Sequence, residues 1–91
     1  MIYRIEFSKQ ARQVVKKWKK SNPISFMKLY RLLPELESHP RTGTGHPEPL
    51  KGGNDITYSR RLSANDRIIY DIYDDVVTVL IISVEGHYND K

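Results

Sequence analysis

Glu48 stands between Pro47 and Pro49 in the stretch GHPEPLKGG, residues 45–53. Each proline fixes its own φ, and Pro49 also pushes Glu48 toward extended backbone. A carboxylate held this rigidly is an odd choice if its only task is to meet water, so it is the first candidate for chemistry. A loop carboxylate offsetting nearby lysines is the plainer reading. Arg61 and Arg67 form a second constellation in YSRRLSANDRIIY. If they lie side by side on one sheet face they repel each other without an anion between them, and guanidinium geometry suits a phosphate in that place. Pairing with Asp66 or Asp71 is the alternative. His39, His46 and His87 do not cluster as ligands and there is no cysteine. A metal site is therefore not expected from spacing, and no cofactor is implied.

These groups need elements to position them. In IYRIEF, Tyr3, Ile5 and Phe7 alternate with Arg4 and Glu6, as in a strand. Ser8 can cap the helix that follows, in which Ala11, Val14, Val15 and Trp18 form one apolar stripe. Asn22 as cap and Pro23 at the first position start a second helix, with Phe26, Leu29, Tyr30, Leu33 and Leu36 as its core stripe. Pro34 predicts a kink or an early end there. After a Gly/Pro loop come two strands, ITYSRRLS and RIIYDIY, joined around SAND. A tight turn at Asp74–Asp75 leads into VVTVLIISV, a long apolar strand expected at a central position and buried on both faces.

The register of the hairpin decides where Arg61 points, because a one-residue slip flips every side chain. Pairing Leu62 with Asp66 leaves the three-residue loop Ser63–Asn65, which wants a left-handed residue at its end, and Asn65 tolerates that conformation. This register puts Arg61 opposite Arg67 on the outer face. It puts Ile56, Tyr58 and Leu62 on the core side with Ile68, Tyr70 and Ile72, and leaves only Arg60 out of place there. The expected fold is α+β, β-α-α-β-β-β, with a helix hairpin on one face of a small, mainly antiparallel sheet.

A length of 91 residues gives one domain, residues 1–91, with modest stability. No apolar run approaches the roughly 20 residues of a membrane span, and the N-terminus lacks a secretory apolar region. The absence of cysteine suits a reducing cytoplasm. Net charge is +4 but uneven: residues 1–41 carry 10 Lys/Arg against 3 Asp/Glu, and residues 42–91 carry 5 against 8. Lys16, Lys17, Lys19 and Lys20 concentrate this charge on the first helix. A polyanion such as RNA, an acidic protein, or simple solvation of the helix each accounts for that pattern.

GHPEPLK, YSRRLSANDRIIY and the later GHY, in this order and spacing, resemble the YoeB/Txe toxins of the RelE superfamily. The resemblance spans nearly the whole chain. It departs in Tyr58, where close relatives often carry tryptophan, and in the residues that follow Tyr88. It implies a RelE-like fold and a ribosome-dependent messenger-RNA endonuclease held inactive by an antitoxin of the YefM/Axe kind. It implies a catalytic role for Glu48, a phosphate-stabilising role for Arg67, and a functional pair at His87 and Tyr88. Lys51 and Arg61 match the family's basic substrate-binding surface.

RNA carries its own nucleophile, the 2′-hydroxyl. Its cleavage needs a base, an acid for the departing 5′-oxygen and positive charge for the phosphorane. Glu48 as base and His87 as acid fit that division, with Tyr88 stacking on a base or positioning the phosphate. A module that binds ribosome or RNA without cutting is the competing expectation. An interaction domain for an acidic protein is another. A homodimer is compatible with all of them.

Overall fold

The computed structural model describes residues 2–50 and 55–85. Strand β1, Arg4–Phe7, leads directly into helix α1, Lys9–Ser21. Ser8 caps α1 by accepting the Ala11 N–H at 3.0 Å. The same hydroxyl donates to the Ile82 carbonyl, and the Ser8 N–H donates to the Ile81 carbonyl at 2.9 Å. One residue therefore starts the helix and ties it to the sheet. Ala11, Val15 and Trp18 are buried and Val14 packs against them, as the apolar stripe predicts.

Helix α2, Pro23–Ser38, begins at an Asn22 cap with Pro23 in its first turn. It differs from the sequence expectation in two ways. It continues through Pro34 to Ser38 instead of ending early. Its buried stripe is Ser25, Leu29, Leu32 and Leu36, whereas Tyr30 is 51% exposed. The stripe is rotated because one of its members is a serine, which an apolar pattern passes over. The Ser25 hydroxyl is buried and donates to Asp66, beneath the β3–β4 turn. Asn22 Nδ2 donates to the same carboxylate at 3.2 Å.

The sheet has five strands in the order β1-β5-β4-β3-β2. Here β2 is Glu48–Pro49, β3 Thr57–Arg61, β4 Arg67–Tyr73 and β5 Thr78–Glu85. β1 runs parallel to β5 and the remaining pairs are antiparallel. β2 was not expected: two residues, one of them proline, carry no periodicity. β5 lies between β1 and β4, yet only one of its faces is fully buried. Val79, Ile81 and Val84 are in the core while Leu80, Ile82 and Ser83 are half-buried. The buried parity shifts at Ile82 because β4 pairs Ile69 with Ser83 but Tyr70 with Ile81, a bulge of one residue.

The β3–β4 register is the one that loop chemistry favours: the Leu62 N–H donates to the Asp66 carbonyl at 2.8 Å and Arg61 pairs with Arg67. Asn65 is not left-handed, however. Ser63 closes the loop with its own side chain, accepting from the N–H groups of Asn65 at 3.3 Å and Asp66 at 3.2 Å. A hydroxyl that mimics a backbone acceptor removes the need for a positive φ. Ile56, expected on the core side, is 37% exposed because it precedes β3. The Asp74–Asp75 turn is a short 3-10 segment, Asp74–Val76, closed by Val77 at φ 47°. Both helices pack on the face bearing Tyr58, Ile68, Tyr70, Ile72, Val79 and Ile81. No helix among the described residues is long and apolar enough to cross a membrane.

Candidate active site

Glu48 is positioned by β2 as well as by its prolines. It pairs with Ser59, and Pro49 pairs with Tyr58. Pro49 has no N–H to donate, which confines it to an edge strand; the Leu50 N–H takes up the ladder instead, donating to the Thr57 carbonyl at 2.9 Å. Directly paired residues share a face, and so do residues two apart. Glu48, Ser59, Arg61 and Arg67 therefore lie together on the face opposite the helices. With Gly45 and His46 they line a recess of about 30 Å³.

The approach to Glu48 is a tight backbone turn. Gly45 has φ 84° and His46 has φ 51°. The Gly45 carbonyl accepts the Arg61 N–H at 2.8 Å. A Cβ at Gly45 would lie 2.3 Å from the Arg61 carbonyl oxygen, so only glycine fits.

Beneath this turn lies Arg60, the residue that looked out of place. Its side chain is wholly buried and fully partnered. Nη1 donates to Glu35 Oε2 at 2.8 Å and to the Thr44 carbonyl at 3.2 Å. Nη2 donates to the carbonyls of His39 at 2.9 Å, Pro40 at 3.2 Å and Thr42 at 2.9 Å. Nε donates to the Tyr70 hydroxyl at 3.3 Å. Arg60 thus gathers the segment between α2 and Gly45 around one guanidinium. Glu35 also accepts the Thr44 N–H at 2.5 Å. Burial pushes the Glu35 carboxyl up, but the Thr44 hydrogen bonds and the Arg60 charge outweigh it and hold the group below the usual carboxylate range.

Arg41 fastens the outer end of the same segment. It donates to Asp74 at 3.1 and 3.2 Å, to the Asp55 carboxylate at 3.3 Å and to the Asp55 carbonyl at 2.9 Å.

Arg61 and Arg67 are exposed, and no carboxylate whose side chain is described lies within ion-pair distance of either; on its other side Arg67 pairs with Glu85 of β5. The two candidate partners are engaged elsewhere. Asp66 accepts from Ser25, Asn22 and Ser63, and Asp71 accepts from Thr57 and Tyr73. Two exposed guanidiniums beside a carboxylate are suited to hold a phosphate while a proton is taken from a neighbouring hydroxyl. Among the described residues no three His, Asp or Glu side chains come together as ligands for a metal ion.

Of the residues expected at the site, the fold brings together Glu48, Arg61 and Arg67. Lys51, His87 and Tyr88 lie outside the described residues. Lys16, Lys17, Lys19 and Lys20 are exposed on α1 and do not reach the recess; Lys16 and Lys19 instead line a groove with Phe7, Phe26 and Tyr30. Sequence reasoning passed over Gly45, His46 and Ser59. Two-residue alternation from Arg61, with the pairing to Glu48, points to Ser59 once the edge strand is known; His46 lies in the left-handed turn before β2, which alternation does not reach.

The profile of the YoeB-like toxin of bacterial type II toxin-antitoxin system matches residues 7–88. Toxin YoeB of Streptomyces coelicolor is 31% identical over 85 residues, covering 93% of this chain and 99% of that protein. The YoeB dimer from Staphylococcus aureus superposes with a TM-score of 0.81 at 29% identity, covering 97% of this chain and 100% of that one. The YoeB-YefM complex from the same organism gives a TM-score of 0.77 at 30% identity, with coverage of 97% and 100%. The chain belongs to the YoeB-like toxin family of bacterial type II toxin–antitoxin systems.

Proposed function

We propose that this toxin is an endoribonuclease that cleaves messenger RNA on the ribosome and so inhibits translation. The observation that carries the reading is the meeting of Glu48, Arg61 and Arg67 in one recess on the sheet face opposite the helices. Glu48 takes the proton of a 2′-hydroxyl. The 2′-oxygen attacks the adjacent phosphorus, Arg61 and Arg67 hold the phosphorane, and the bond to the 5′-oxygen breaks. His87 protonates that leaving oxygen, giving a 2′,3′-cyclic phosphate and a 5′-hydroxyl end. Lys51 adds positive field and Tyr88 positions the phosphate or stacks on a base. No step requires a metal, because the substrate brings its own nucleophile.

In this reading the protein acts in the cytoplasm as one domain. It is silenced by an antitoxin of the YefM kind, whose acidic segment covers the cationic recess. The S. aureus YoeB solved with YefM, and the YoeB dimer from that organism, support both an antitoxin complex and a homodimer as states of this chain.

Mapping of messenger 5′ ends after induced expression tests the proposal. New ends are expected with the wild type, none with Glu48→Ala or His87→Ala, and none when the antitoxin is co-expressed. Translation arrest without new ends would make the protein a binder that blocks the ribosome without cutting.

A further inference from the structure

A second groove adjoins the recess. It is open, has a volume of about 400 Å³, and is lined by Lys28, Arg31, Leu32, Glu35, Arg61 and Leu62. That volume lies in the range that takes a nucleotide-sized group. Arg61 lines both the groove and the recess. Lys28 and Arg31 are one turn apart on α2 and exposed, and among the described residues neither has an ion-pair partner. The single acid in the lining is Glu35, whose Oε2 is occupied by Arg60 Nη1 and the Thr44 N–H. The groove therefore carries excess positive charge along its α2 wall, while Leu32 and Leu62 give it an apolar floor.

We infer that this groove is the track for single-stranded RNA leaving the recess, with Lys28 and Arg31 each on a phosphate beyond the scissile one and a base against Leu32 and Leu62. The inference rests on the endonuclease reading and extends it. A strand held at Arg61 must continue somewhere, and Arg61 at the end of β3 lines the same groove as Arg31 and Lys28 of α2. An acidic peptide has the right charge sign, but the recurrence of cations at successive positions from Arg67 through Arg61 to Arg31 and Lys28 matches a phosphodiester backbone. Lys28 and Arg31 are binding residues in this scheme, not part of the proton-transfer machinery.

The probe is a short fluorescein-labelled 2′-O-methyl RNA, which lacks the attacking hydroxyl and cannot be cut. Its affinity is measured by anisotropy across a salt series for the wild type, Lys28→Ala/Arg31→Ala, and the charge-conserving Lys28→Arg/Arg31→Lys. The alanine pair should weaken binding about tenfold and lower the slope of log affinity against log salt by about 1.4, as loss of two phosphate contacts on a single strand requires. The charge-conserving pair should restore most of both. In a translation reaction the alanine pair should raise the half-saturating toxin concentration and leave the maximal cleavage rate unchanged. Equal urea midpoints for the three proteins show that folding is not the cause. Unchanged affinity and slope in the alanine pair overturn the track, and wild-type cleavage would still stand. RNA binding unchanged with loss of binding to a poly-glutamate peptide would make the groove a protein site and also overturn it. A wild type that neither binds RNA nor yields new ends would sink the endonuclease reading, and the track with it.

Discussion

Arg60 and Glu35 form an ion pair, Nη1 to Oε2 at 2.8 Å, with the arginine wholly enclosed and the glutamate at the rim of a groove. The pair joins β3 to α2 and holds the segment that delivers Glu48. Arg60→Met should remove the common donor to the carbonyls of His39, Pro40, Thr42 and Thr44 and leave them unsatisfied. Breaking a buried pair typically costs about 3–5 kcal/mol, and the low end applies because Glu35 retains some water. Urea denaturation measures it, and a loss below about 1 kcal/mol would show that Arg60 does not organise this region.

The same pair makes stability sensitive to acid. The Glu35 carboxyl is held below the usual range in the folded state, so the folded state binds its proton less readily than the unfolded chain does. Its contribution is complete above the ordinary glutamate pKa of about 4.3 and is lost as pH falls through the lower folded value. Urea midpoints taken downward from pH 6 should fall more steeply for the wild type than for Glu35→Gln, which has no carboxylate to protonate. Parallel curves would mean that other acids dominate.

Arg61 and Arg67 are exposed neighbours across β3 and β4, and no described side chain forms an ion pair with either. Arg67→Ala should therefore abolish messenger cleavage while changing stability by less than about 0.5 kcal/mol, since removing one of two like charges costs the fold little. Arg61→Ala should behave similarly. Thermal melts beside 5′-end mapping separate the effects. A large drop in melting temperature would reassign Arg67 as a structural residue.

The lysines of α1 lie away from the recess, so their effect should be on association alone. Replacing Lys16, Lys17, Lys19 and Lys20 by glutamate should weaken ribosome co-sedimentation and flatten its salt dependence. The cleavage rate of toxin already on ribosomes should not change. Wild-type sedimentation that ignores both salt and charge reversal would leave these lysines as solubilising charges.

Much of the positioning of this site was legible in the chain. Ser8, Asn22 and Pro23 announce the helices because capping is local chemistry. The pairing of Arg61 with Arg67 followed from side-chain parity and loop length. What escaped depends on distant partners. Arg60 was visibly misplaced, but its acceptors lie up to 25 residues away on α2 and the following segment, and no periodicity connects them. Ser25 entered the buried stripe of α2 only because Asp66 waits above it. β2 exists only because Ser59 and Tyr58 are beside it. Lys51, His87 and Tyr88, whose roles rest on resemblance, fall outside the described residues.

The parallel pairing of β1 with β5 sets an order of assembly. Arg4 to Phe7 find their partners at Thr78 to Ile81, and Ser8 needs the Ile81 and Ile82 carbonyls. A chain emerging from its N-terminus therefore presents a strand and two helices long before the strand that anchors them has been translated. Contacts of such sequence separation form late and slowly, and the apolar stripes of both helices stay uncovered meanwhile. The sheet that displays Glu48, Arg61 and Arg67 is completed only when β5 joins it. A nascent copy is thus unfinished as a toxin for most of its own synthesis, and a partner present at that time meets it while it is still closing.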